Sequence, residues 1–295
     1  MSVRPVWEEK PTVVGQAGKS TLLFLVTAAV IIPLWSVIVT SLSSRETIDR
    51  AGGMVFIPRG IDFSAYESLF ATDRVTQALW VSFIVTIGGT ALSITLTVLA
   101  AYGLSRPGSM WHRTLLFLFL LTFLFGPGLI PSYLLVTGLG LKDNLLSLIL
   151  PTAVNAFNLI VLRAFFMNIP GELIDSARID GAGEWRVLWQ IVIPLSKAVI
   201  AVVALFYAVG YWNSFFNAIL YLSDPADHPI QLVLRSFILQ GQAPPGVSLP
   251  GTSVPPPTLA IKMAVVAVTV IPALIVYPFV QKHFTKAVLT GAIKG

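Results

Sequence analysis

Apolar residues in this chain come in long blocks without a charge, at 20–44, 75–105, 114–141, 144–162, 198–223 and 263–281. A helix needs roughly 20 residues to cross about 30 Å of hydrocarbon. Five blocks reach or nearly reach that length, and the last can draw on residues 259–261. The pattern predicts six transmembrane helices in an all-α integral membrane protein. The most polar stretch of the second half, 168–197, predicts two short helices meeting at a corner. Pro170 suits a first turn, and Glu172 and Asp175 lie where a helix N-terminus favours negative charge. Asp180-Gly181 supplies the stop, because glycine accepts the left-handed conformation that ends helices. Trp185, Leu188, Trp189 and Val192 then repeat at i, i+3, i+4, i+7, one apolar face of a second helix that Pro194 closes.

Composition agrees with the block pattern: 55% hydrophobic, 11% charged and a mean hydropathy of +0.82 exclude an ordinary soluble domain. Six spans put both termini on one side. Twelve of the 19 basic residues fall on that side, which makes it cytoplasmic by the positive-inside rule. The pI near 9.6 is therefore a topology signal, and no basic surface interleaved with aromatics supports nucleic-acid binding. With no cysteine, disulfides and thiolate metal sites are excluded. The first block is too long for a signal-peptide core and lacks a small-residue cleavage site, so it reads as an anchor. The resulting plan has a cytoplasmic tail at 1–19 and a six-helix domain at 20–281, followed by a cytoplasmic tail at 282–295. External segments are expected at 45–74 and 223–258, the latter with a Pro-rich loop at 240–257.

Chemistry has to be sought inside the blocks. Ser82, Thr86, Thr90, Ser93 and Thr97 share one face of the second span, either packing a neighbouring helix closely or walling a path. Gly126-Pro127-Gly128 and Pro131 interrupt the third, and broken backbone at membrane depth must pack on protein or line a wet cavity. The fourth span carries Asn155 and Asn158; the fifth carries Tyr207, Tyr211, Trp212, Asn213, Ser214, Phe216 and Asn217. Intramembrane amides are costly unless paired or hydrated, so these face the interior, as structural hydrogen bonds or as a substrate path. Rings that stack on C–H faces and amides that bond hydroxyls suit a sugar.

Other classes lack their residues. Gly15–Ser20 reads GQAGKS, but a phosphate-binding loop needs glycine where Val13 stands. An ion-driven secondary transporter needs membrane-buried carboxylates, absent from all six blocks. His112, His228 and His283 lie in separate loops, so neither a catalytic set nor a metal site is expected.

Glu172-Leu173, Asp175-Ser176-Ala177, Asp180-Gly181-Ala182, Ile191 and Pro194 resemble the EAA cytoplasmic loop of ABC importer permeases. That loop reads E-L-x-E-A-A-x-x-D-G-A, then I-x-x-P. Asp175 replaces its second Glu and Ser176 its first Ala, while the Asp-Gly-Ala and Ile-x-x-Pro spacings are intact. The flanks are similar to carbohydrate-importer permeases of the maltose-importer kind, and within them to oligosaccharide permeases of the LplC/YtcP type. They are Phe56-Ile57-Pro58-Arg59 with Phe63-Ser64-Ala65-Tyr66, AVGYWNSFF at 208–216, ALIVYPFVQKHF at 273–284 and the ending LTGAIKG. The resemblance covers nearly all of 21–295.

What it implies is a type I ABC importer permease fold, methionine-importer-like, in the prokaryotic cytoplasmic membrane. The function implied is translocation of a sugar or oligosaccharide by ATP-driven alternating access; a permease for another solute class is the alternative. Implied partners are a second homologous permease, two ABC ATPases that hold the ATP and Mg, an extracytoplasmic sugar-binding protein and membrane lipid. The chain itself would bind no cofactor and catalyse nothing. Glu172, Asp175, Ala177, Asp180, Gly181, Ala182, Trp185, Leu188, Trp189, Ile191 and Pro194 would couple to the ATPases. The loop at 240–257 would reach the binding protein, and the tail would reach between the ATPases.

Overall fold

A computed structural model describes residues 12–71, 73–106, 108, 111–239 and 259–292. The Pro-rich loop expected at 240–257 and the last three residues of the tail lie outside them. All regular structure among the described residues is helical, and these residues form two compact units.

The first unit takes the described residues of 1–69 and 249–267. Helix α1 (Val13–Ser41) begins at Thr12, whose hydroxyl accepts from the Gly15 amide. The GQAGKS run is thus the first turns of a helix, which removes any phosphate cradle. Toward its other end Ser36, Thr40, Ser41 and Ser43 are buried. Each meets the segment that follows the helix or its own helix: Thr40 accepts from the Val55 amide at 2.9 Å, and Ser41 bonds the Tyr66 hydroxyl at 2.8 Å. That segment folds as α2 (Arg45–Ala51) and α3 (Ser64–Phe70). Its polar, charged composition is that of structured chain packed on the helix end.

The second unit, from 70–248 and 268–295, is organised around α4 (Asp73–Ser105), 33 residues long and unbroken. Helix α5 (His112–Leu124) has 13 residues, about 20 Å, too few to cross alone. At Gly126-Pro127-Gly128 the chain turns by 119° into α6 (Leu129–Gly138), with Gly128 at φ +80°. The interruption is a fold feature because proline lacks the amide that would continue the ladder. The fourth span is also bent. Helix α7 (Leu146–Ile149) runs into a 3₁₀ turn at Leu150–Thr152, and α8 (Ala156–Met167) resumes at 50°. Helix α8 continues past the apolar block because the Arg163 guanidinium caps α4, donating to Leu104 O at 2.9 Å.

The polar stretch forms α9 (Gly171–Ile179) and a second arm. That arm comprises α10 (Glu184–Val187), a π-helical turn at Leu188–Val192 and α11 (Ile193–Leu195). After an 83° bend comes α12 (Lys197–Trp212), then α13 (Phe215–Tyr221), then α14 (Ile230–Leu239). Helix α14 lies ahead of the Pro-rich stretch 240–257, in a part of 223–258 to which no helix is assigned from the sequence. Its signal is Ile230, Val233 and Phe237, all buried at helical spacing. The final helix, α15 (Leu259–Ala292), has a span-like stretch at Leu259–Val276 and passes Pro272 without stopping. Among the described residues three helices are long and apolar enough to cross a membrane, and each bent pair counted as one span brings the number to six.

Candidate translocation site and coupling loop

The two helix breaks meet. A cavity of about 570 Å³ lies between the bend of the fourth span and the join of α12 with α13. It falls within the roughly 300–1,000 Å³ of small-molecule sites. Asn155, Asn158, Tyr207, Tyr211, Asn213, Ser214, Phe216 and Asn217 line it, bringing together eight of the nine residues singled out in the fourth and fifth spans. Trp212 is absent from it: its indole donates to Thr269 O at 3.2 Å and its ring meets Phe83. One residue further round α12 than Tyr211, it points into helix packing. Phe206 and Gly210 complete the lining face of α12, and their spacing to Asn213 could have revealed them. None of the described residues lining it is charged.

Tyrosines hold the walls. The Tyr207 hydroxyl accepts from the Asn155 amide at 2.9 Å and pairs with Thr97 Oγ1 at 2.7 Å. That of Tyr211 donates to Ile149 O at 3.2 Å and pairs with Ser93 Oγ at 2.7 Å. Both backbone groups flank the break in the fourth span, so the tyrosines satisfy polar groups that the lost helix turn frees. The same bonds take up three hydroxyls of the α4 stripe: Ser93 and Thr97 pack helices together, and Ser82 accepts the Ile230 amide at 2.8 Å, while the Thr86 and Thr90 hydroxyls are buried without a hydrogen-bond partner among the described residues. Gly89 belongs to that packing, because a Cβ there would lie 2.9 Å from the Tyr211 ring.

The amides differ in their availability. Asn155 Oδ1 caps α8 through the Asn158 amide, and Asn213 Nδ2 donates to Val209 O at 2.9 Å. Asn217 makes no side-chain hydrogen bond among the described residues. Its helix, α13, is fixed from the far end. Tyr221 stacks on Tyr133, and the Ser223 amide donates to Asp143 at 2.6 Å, a bond that holds this carboxyl below the usual range.

At the corner of the polar stretch Gly181 has φ +79°. The Ala182 amide donates to Ala177 O and the Gly181 amide to Arg178 O, the paired bonds of a glycine-terminated helix. Pro170 precedes the first turn as its N-cap, and Glu172, Asp175 and Asp180 are exposed. The apolar stripe of the second arm does not form one face. Trp185 and Trp189 are 66% and 62% exposed, whereas Leu188 and Val192 are buried with Val187 in the core. The π-helical turn at Leu188–Val192 changes the register on which the i, i+3, i+4, i+7 reading depends. Leu188 is buried in the core; Ile191, Ala177 and Ala182 are half-buried and Pro194 exposed. Leu173 and Ile179 are exposed apolar residues of the first arm that the stripe did not include.

Residues 93–290 match the family of binding-protein-dependent transport system inner membrane components. The chain belongs to that family. It is 45% identical over 266 residues to the polygalacturonan/rhamnogalacturonan transport system permease protein YtcP of Bacillus subtilis (strain 168), covering 90% of this chain and 93% of that one. Protein LplC of the same organism is 41% identical over 276 residues, 93% of each chain. Among solved structures, a chain of a bacterial ABC transporter involved in the import of the acidic polysaccharide alginate superposes with a TM-score of 0.85. It is 30% identical, and the match covers 95% of this chain and all of that one. The permease therefore has the type I ABC importer fold and is a multi-pass protein of the bacterial inner membrane.

Proposed function

We propose that this permease carries a sugar or oligosaccharide, and that the cavity at the paired helix breaks is its share of the path. The observation that carries the reading is the lining: ring faces and amides, no charge, at the two places where the helices open. Such a wall contacts C–H faces and hydroxyls and leaves charge unread. The saccharide polymers named for YtcP and for the alginate importer support the substrate class. The chain pairs with a second permease, receives substrate from an extracytoplasmic binding protein and is driven by two ATPases that hold ATP and Mg. Both termini and the stretch 168–197 are cytoplasmic. Its exposed Ile179, Trp185 and Trp189 dock on an ATPase, so that nucleotide-driven closure and substrate delivery favour the same outward-open state. Segments 45–74 and 223–258 are external, and 1–19 and 282–295 are cytoplasmic tails.

The test is the reconstituted importer with its binding protein and a panel of saccharides, peptides and ions. A saccharide should stimulate ATP hydrolysis. Asn217→Leu should then lower transport about three- to tenfold, the worth of one hydrogen bond, without loss of assembly. Stimulation by a non-saccharide alone, or full transport by the Asn217 variant, would overturn the assignment.

A further inference from the structure

Besides its buried Val187, Leu188 and Val192, the second arm of the coupling stretch is held at Glu184, whose backbone carbonyl and carboxylate both bond the Tyr102 hydroxyl. Glu184 Oε2 accepts from the Tyr102 hydroxyl at 2.6 Å, and Oε1 accepts from Arg178 at 2.6 Å. Tyr102 is buried near the end of α4. Arg106, just beyond that helix, lies with its guanidinium 4.3 Å from the Tyr102 ring centroid and its Nε 3.9 Å from Glu184 Oε2. Arg178 is in the last turn of α9, on the far side of Gly181, and also approaches Asp175 at 3.9 Å. A single side chain thus joins the first arm, the second arm and the cytoplasmic end of the helix on which the cavity tyrosines rest.

We infer that Glu184 is a positioning residue for energy coupling: it sets the angle between the two arms and transmits their movement to α4. The alternative, an ordinary surface ion pair, accounts for Arg178 and Arg106 but not for Tyr102. Surface pairs are worth little, and one would not also engage a buried tyrosine on another helix. From Tyr102 the connection continues along α4, which carries Ser93 and Thr97, the partners of Tyr211 and Tyr207. A shift of the arms that pulls on Tyr102 therefore acts on the helix that holds the cavity wall. The assignment rests on the docking role proposed for the loop.

The experiment measures molecules transported per ATP hydrolysed in the reconstituted importer, alongside co-purification of the ATPases. Glu184→Ala should lower that ratio about fivefold, the lower end of typical coupling between sites, while the ATPases remain bound. Tyr102→Phe, which removes one oxygen and keeps the ring, should give the same kind of loss. Glu184→Gln, which keeps an acceptor for Tyr102, should lose less than Glu184→Ala. Combining Glu184→Ala with Tyr102→Phe should cost less than the product of the two single losses, since the two substitutions share the bond between the Tyr102 hydroxyl and the Glu184 carboxylate. An unchanged ratio in both single variants, or losses that multiply in the double, would overturn the assignment. Joint replacement of Trp185 and Trp189 by Ala separates the two readings. If that variant uncouples while the Glu184 and Tyr102 variants do not, only the positioning role fails. If all three stay coupled, the docking role fails with it.

Discussion

The Tyr207 hydroxyl accepts the Asn155 backbone amide at 2.9 Å, across the space between α12 and the bend of the fourth span. A helix broken at membrane depth leaves amides and carbonyls with no water to bond, and here a side chain of the next span supplies the partner. Tyr207→Phe would keep the ring and the cavity shape but leave that amide unpaired. An unsatisfied buried donor costs about 1–3 kcal/mol. Thr97→Val removes the other partner of the same hydroxyl, and interhelical bonds of that kind average only about 0.6 kcal/mol in membranes. The expected order in thermal unfolding of the purified permease is therefore wild type, Thr97→Val, then Tyr207→Phe. Equal losses would mean that the amide finds another acceptor.

Gly89 tests the same wall from α4. A Cβ at this position meets three atoms of the Tyr211 ring at 2.9 Å, so Gly89→Ala must push the ring off its bonds to Ser93 and Ile149. Overpacking of this kind costs about 1–3 kcal/mol. The neighbouring Gly88 has nothing within 4 Å of the same built atom, which makes Gly88→Ala the control. Transport and thermal stability should fall for Gly89→Ala and hold for Gly88→Ala. Matching behaviour of the two would remove Tyr211 from its role as a fixed wall.

The spans and the corner were legible because each depends on local chemistry. A charge-free block has few solutions in lipid, and Asp180-Gly181 stops a helix wherever it stands. The bends at 153–155 and 213–214 were not legible. Asn155 and Ser214 can each sit in a continuous helix, and the groups freed at the first break are paired by Tyr207 and Tyr211, over fifty residues away. The π-helical turn at Leu188–Val192 escaped for a related reason: burial of Val187, Leu188 and Val192 in the permease core overrides the regular period. Trp212 shows the limit of composition. It belongs to the same aromatic and amide run as the cavity residues, yet its register on α12 carries it into packing with Phe83 and Thr269.

Gly181 offers the sharpest test of the coupling role proposed for 168–197. Its φ of +79° lies in the left-handed region, and nothing stands within 4 Å of a Cβ built there. Steric contact therefore plays no part, and any substitution acts through the backbone alone. Left-handed geometry costs a residue with a Cβ roughly 1–2 kcal/mol, less for Asn and more when the side chain is β-branched. Coupling should thus fall in the order Gly181, then Asn, Ala and Val variants. The stretch lies outside the long apolar helices, so membrane insertion should remain intact throughout. Because the chain has no cysteine, a single one introduced at Ile179, 86% exposed, can report on docking by cross-linking to an engineered cysteine on the ATPase. In the Gly181→Val background that cross-link should weaken in parallel with transport. Transport lost with the cross-link and stimulated ATP hydrolysis both intact would argue against the corner as the element that orients the two arms.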